Sequence, residues 1–245
     1  MDRNNHGNGA RGVVMQVAAI SDTGLVRGKN EDRFLARPKQ GLFAVCDGMG
    51  GHKGGEVAAS LAVDVIDMGY SESEDPVSSL AACVDTANQL IFSIGNRVPE
   101  YQGMGTTLTA VLVRDNRLWV AHIGDSSLYC LSGGRLQKIT HDHTLAQKMV
   151  DQGLMAPAEG KKHPFSHILT RALGMEVSVE ADYICRTLKK GDYILLATDG
   201  LTDLVEDREI EELINRFGIE SHIHMVKTAL QRGGHDNITV VLVKV

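Results

Sequence analysis

The sequence predicts an α+β fold in which antiparallel sheets are covered by pairs of helices. Three observations predict it. Short apolar runs rich in β-branched residues recur along the 245 residues, turn signals join neighbouring runs, and helical stretches with one apolar face occur in pairs.

The runs are "VVMQVAAI" (13–20), "LFAVC" (42–46), "TLTAVLV" (107–113), "RLWVAHI" (117–123), "SLYCL" (127–131), "DYILLAT" (192–198) and "ITVVLVKV" (238–245). Each has the length of a strand rather than a helix. "RDN" at 114–116 is a tight hairpin connection, and "SGGR" at 132–135 marks another turn. Residues 55–69 place Val57, Leu61, Val65 and Met68 on one helical face. Residues 76–95 start at a proline and carry a stripe of Leu80, Val84, Ala87 and Ile91. A second helical pair spans 206–217 and 220–232. Hairpins and paired helices argue against a doubly wound parallel sheet. Segment 145–175 begins as a helix and then passes through Gly, Pro and two lysines, the pattern of an excursion from the core. No repeat or linker divides the chain. A loose, polar tail is expected over 1–12 and a single domain over 13–245.

The net charge of −6 argues against a broad nucleic-acid or acidic-membrane surface. No uninterrupted apolar run approaches the roughly 20 residues of a membrane helix, and "MDRNNHGNGAR" lacks the apolar core of a signal peptide. A cytoplasmic location is expected. Cys46, Cys83, Cys130 and Cys185 show no zinc spacing and read as buried free thiols.

Acids gather at the ends of the apolar runs. Asp47 follows "LFAVC", Asp125 follows "WVAHIG", Asp199 follows "YILLAT", and Asp236 precedes "ITVVLV". One such aspartate is ordinarily a turn former. Four of them, if their ends converge, repel one another, and a hard divalent cation with oxygen ligands offsets that repulsion. Glycine-rich "CDGMGGHKGGE" (46–56) then leaves room beside Asp47 for a backbone carbonyl and bound waters. In "SDTGLVRGKNEDRF" (21–34), Arg27 is a candidate fork for phosphate, and Glu31 and Asp32 are candidate outer acids. A charged surface turn is the alternative for that stretch.

In order along the chain, "RGKNEDRF", "VCDGMGGHKGGEVAA", "GMGTTLTAVLV", "VAHIGDSSLY", "ITHDHTL", "LTRALG", "LLATDGLTDLV" and "GGHDNITVVLV" resemble the motifs of the PP2C-type metal-dependent protein serine/threonine phosphatases, compact bacterial type. The resemblance implies a central sandwich of two antiparallel sheets flanked by helix pairs. It also implies two core Mn2+ or Mg2+ ions and a weaker third. By position, Asp47, Asp199 and Asp236 would hold the first ion. Asp47 and the Gly48 carbonyl would hold the second, with Glu31 and Asp32 acting through water. Asp125 and Asp199 would hold the third. Arg27 would bind the substrate phosphate, His52 would be the general acid, and 145–175 would be a flap. The implied reaction is hydrolysis of phosphoserine or phosphothreonine by a water or hydroxide bridging the two ions. Implied partners are phosphorylated proteins, including a cognate Ser/Thr kinase and its targets, with the enzyme a monomer. The chain departs from the family pattern at Ser127, where arginine is common, and at Ser166 and His167.

Rival readings are weaker. A cysteine phosphatase needs five residues between its thiolate and arginine, and Cys130 to Arg135 has four. A non-catalytic binding module would not need the full acidic set. A metal nuclease would need a basic stripe that this composition does not supply.

Overall fold

The computed structural model describes residues 15–50, 54–72, 75–160 and 163–245. The tail at 1–12 and His52 lie outside the described residues. Two five-stranded antiparallel sheets stack face to face, with helices on both outer surfaces. One sheet joins β1 (Gln16–Asp22), β12 (Ile238–Lys244), β11 (Tyr193–Ala197), β8 (Ser127–Ser132) and β9 (Arg135–Lys138), in that order. The other joins β10 (Asp182–Thr187), β7 (Arg117–Ile123), β6 (Leu108–Arg114), β3 (Leu42–Cys46) and β2 (Arg33–Arg37). A two-residue ladder pairs β4 (Gly48–Met49) with β5 (Gly105–Thr106).

Alternation along the strands divides the interior into three layers. Phe43 and Val45 of β3 meet Val241 and Val243 of β12 between the sheets. Leu42, Ala44 and Cys46 point the other way, onto α1 (Gly54–Gly69) and α2 (Pro76–Arg97). Val240 and Leu242 point onto α6 (Asp207–Phe217) and α7 (Ser221–Gln231). The β6–β7 hairpin turns on Asp115 and Asn116, whose φ values of 52° and 58° match the strand twist. Three short helices, α3 (Leu145–Asp151), α4 (Pro157–Gly160) and α5 (Asp199–Thr202), complete the chain.

Helix α2 follows its predicted stripe, with Leu80, Val84, Ala87 and Ile91 all buried. Asp75 caps it by accepting from the Ser78 amide at 3.0 Å. Its length and mean hydropathy of 1.2 would suffice to cross a membrane, yet that stripe is packed in the core. Helix α1 departs from expectation. Its buried face is Ala58, Ala59, Ala62 and Ile66, and Met68 is 80% exposed. Small residues let α1 lie close to its neighbours, so the larger Val57, Leu61 and Val65 flank the contact. Cys46, Cys83 and Cys130 are buried as expected, but Cys185 is exposed. It sits on β10, an edge strand with an alternating burial pattern, and points outward.

Candidate metal centre

Antiparallel order brings the acids together. Arg33 at the start of β2 pairs with Cys46 at the end of β3, and Leu108 at the start of β6 pairs with Ile123 at the end of β7. In the other sheet, Asp22 at the end of β1 faces Ile238 at the start of β12, and Ala197 at the end of β11 faces Ser127. Every acid singled out in the sequence therefore leaves its strand at one end of the sandwich. Glu31, Asp47, Gly48, Asp125, Asp199 and Asp236 line a single cleft of about 550 Å3, with Arg27 at its mouth.

The backbone around these acids is tied down. The Asp47 amide donates to Thr107 Oγ1 at 2.9 Å, and the Asp47 carbonyl accepts from Thr107 N and Thr106 Oγ1. Asn237, which the sequence reading passed over, fixes the opposite wall. Its Oδ1 accepts from the Glu31 amide at 2.8 Å, and its Nδ2 donates to the carbonyls of Thr23 and Lys29. The glycines also serve close packing. A Cβ at Gly48 would lie 2.2 Å from the Gly55 carbonyl oxygen, and one at Gly55 would lie 2.8 Å from Glu31 Oε2. They let the start of α1 close onto Glu31 and the strand end, while Gly48 and Gly50 also line the cleft.

Asp32 lies behind the cleft and is 2% exposed. Its Oδ2 accepts from Thr198 at 2.8 Å and Thr239 at 2.6 Å, while Oδ1 is buried without a partner among the described residues. Burial, opposed by those two hydroxyls and reinforced by the charges of Asp199 and Asp236, pushes its carboxyl up to about 7. Asp47 and Asp125 are also raised, by loss of hydration first and by neighbouring carboxylates second. Asp199 rises for the same reason, with Asp236 its largest charged neighbour. The charge of Asp199 also raises Asp47, behind burial and the charge of Asp32. Arg27 Nη2 donates to Asp236 Oδ2 at 2.7 Å.

Such an array is unstable on its own terms: carboxyls at the floor of a cleft, short of protons and short of donors. Among the described residues, Asp199 Oδ1 is likewise buried without a partner. An all-oxygen set of carboxylates with orphaned lone pairs fits hard divalent cations of the Mg2+ and Mn2+ class. Asp203, which sequence reasoning missed, joins His167 and Asp199 in a group whose ligand atoms all lie within 4.8 Å of one another. Its signal was its place four residues after Asp199, one helical turn on. The expected flap over 145–175 holds α3, α4 and a 3-10 turn at Pro164–His167, and His167 reaches the edge of the cleft.

A family model described as Protein phosphatase 2C matches residues 27–237. The chain is 41% identical over 239 residues to the serine/threonine protein phosphatase PstP of Mycobacterium tuberculosis, covering 95% of this chain and 45% of PstP. It thus spans about half the length of that relative. It is 32% identical to the protein phosphatase PhpP of Streptococcus pneumoniae, over 94% of this chain and 97% of PhpP. A crystal structure of the PstP catalytic domain with two manganese ions superposes with a TM-score of 0.85 at 40% identity, covering 94% of this chain and 98% of that one.

Proposed function

This chain belongs to the protein phosphatase 2C family, and on that premise we propose that it is a metal-dependent protein serine/threonine phosphatase acting on phosphoserine and phosphothreonine. The observation that carries the reading is the convergence of Glu31, Asp47, Asp125, Asp199 and Asp236 on one cleft with Arg27 at its mouth. Asp47, Asp199 and Asp236 are assigned to one Mn2+ or Mg2+ ion. Asp47 and the Gly48 carbonyl are assigned to a second, and Asp125 with Asp199 to a weaker third. Glu31 and the free Oδ1 of Asp32 are assigned to the surrounding water. When bound, the ions supply positive charge for phosphoryl oxygens and acidity for a coordinated water.

The protein's own groups do the rest. Arg27 spends one donor on Asp236 and keeps the remaining guanidinium N–H groups for a phosphate. That ion pair ties the guanidinium to a residue of the cleft lining. Water adds to phosphorus as the bond to the seryl or threonyl oxygen breaks, and His52 is assigned the delivery of a proton to that oxygen. Asn237 and Thr107 hold the two walls at fixed separation through the backbones of Glu31 and Asp47. Substrates are phosphorylated proteins, and we place the enzyme in the cytoplasm, as a monomer, opposing Ser/Thr kinases in bacterial signalling.

The cysteine mechanism finds no support, because Cys130 is buried in β8 and Gly133 and Gly134 turn the chain back into β9. The test is hydrolysis of p-nitrophenyl phosphate and a phosphothreonine peptide with added Mn2+. Activity should vanish with a chelator and survive thiol alkylation. Chelator-resistant turnover would overturn the reading.

A further inference from the structure

We infer that His143 is a positioning residue, a neutral imidazole that clamps the Gly124–Asp125 turn of the cleft to the segment leaving the flap at Leu169–Arg171. The inference rests on the phosphatase reading for its kinetic consequence, but its geometry stands apart from that reading.

His143 follows β9 and is 5% exposed. Its backbone bonds both sides of the clamp. The His143 amide donates to the Gly124 carbonyl at 2.8 Å, and the His143 carbonyl accepts from the Thr170 amide at 2.8 Å. Its ring repeats the connection. The Gly124 amide donates to Nδ1 at 3.1 Å, so Nδ1 carries no proton. A neutral ring then holds its proton at Nε2, which faces Asp182 Oδ2 at 3.2 Å. The other oxygen of Asp182 accepts from Arg171 Nη1 at 3.0 Å. Arg171 Nη1 also lies 3.2 Å from Nε2, where two donors converge on one carboxylate rather than bond to each other. Four separate parts of the chain therefore meet at one imidazole: the turn after β7, the strand exit before α3, the flap exit, and β10. Burial disfavours the charged ring against the opposing pull of Asp182, and the His122 ring lies 4.9 Å away.

The clamped turn has little freedom of its own. Gly124 has φ +102°, and a Cβ there would stand 2.6 Å from Thr107 Cγ2. Thr107 is the residue whose hydroxyl accepts from the Asp47 amide. A displacement of Gly124 would thus reach Asp125 directly and Asp47 through Thr107. His143 is not among the residues lining the cleft. Its effect is on where they stand, and misplacement of this kind costs rate more than binding.

The experiment compares His143→Ala, His143→Asn and His143→Gln. The Asn oxygen occupies the place of Nδ1 and can accept from Gly124, whereas the longer Gln amide reaches toward Asp182. Amide hydrogen exchange is measured at Gly124, Thr170 and Val241, the last in the middle of β12. In His143→Ala, exchange at Gly124 and Thr170 should quicken about tenfold or more while Val241 is unchanged. At saturating Mn2+, kcat on p-nitrophenyl phosphate should fall about 10- to 100-fold with KM moving less than about threefold. His143→Asn should restore protection at Gly124 and most of kcat, and His143→Gln should not. If the alanine variant does not fold, the Asn–Gln contrast decides alone. Unchanged protection at Gly124, loss of protection spread evenly to Val241, or Asn and Gln variants that behave alike would overturn the clamp. Wild-type protein without phosphatase activity would remove the phosphatase reading, and the exchange data would still decide the clamp.

Discussion

Replacing Asp32 with asparagine should stabilise the metal-free protein. The carboxyl is 2% exposed and is raised from an ordinary 3.8 to about 7, so between those values the folded chain holds a proton that the unfolded chain has released. The resulting stability is fully present below about pH 4 and is lost as pH rises through about 7; over that span it amounts to at most about 4 kcal/mol. Asparagine imitates the protonated acid at every pH. Its Oδ1 can accept from Thr198 and Thr239, and its Nδ2 turns a donor toward the acids that now repel Oδ1. At pH 7.5 in chelator, Asp32→Asn should therefore melt higher than wild type by up to roughly 8–16 °C, at about 2–4 °C per kcal/mol for a chain of this size. The difference should close as pH approaches 4.5. Saturating Mn2+ should reverse the order, because the ion rewards the charge that the metal-free fold resists. Differential scanning calorimetry across pH 4.5–8, with and without Mn2+, measures all three effects. A variant that melts below wild type at pH 7.5 in chelator would refute the reasoning, since the Asp32 charge would then be stabilising.

Asp236→Asn keeps the side chain's shape but removes the charge that holds Arg27 at 2.7 Å; turnover at low Mn2+ should fall about 100-fold or more with circular dichroism unchanged, and near-normal turnover would count against its assignment as a ligand. Asp125→Asn should leave two tight Mn2+ sites in calorimetry and lose a weaker one while turnover slows; loss of both tight sites would instead move Asp125 into the core pair. His52→Ala, compared at saturating Mn2+, should slow a phosphothreonine peptide about 10²–10⁴-fold and p-nitrophenyl phosphate far less, because nitrophenolate leaves without a proton; equal slowing would send the proton donor elsewhere.

Much of the architecture was legible where a local rule decided it. The seven apolar runs became strands within a few residues, because period and length separate them from helices. The "RDN" turn was legible because its connection is short enough to dictate backbone geometry. β2, "RFLAR", and β10, "DYICRT", were not legible, since each mixes charged and apolar residues and lies at a sheet edge. In α1 the apolar pattern pointed to the flank of the buried face, because close packing selected alanines over larger residues at its centre. The convergence of the acids could be suspected from their strand-end positions and is drawn together by the strand register. Asn237, Asp203 and His143 gave little advance signal. Asn237 and His143 act through contacts with residues distant in the sequence, and Asp203 offered only its spacing of one helical turn from Asp199.

The position of β12 bears on how the protein is made. That strand lies between β1 and β11, pairs Lys244 with Gln16, and begins just after Asp236 and Asn237. During translation, then, β1 waits as a lone strand while more than 200 further residues are added. At about 5–20 residues per second that wait is on the order of 10–50 s. Throughout it, the growing chain exposes an unpaired strand edge and has no complete acid cluster. The acid cluster is therefore completed only once Asp236 and β12 have been added, and a nascent chain interrupted before β12 would lack Asp236.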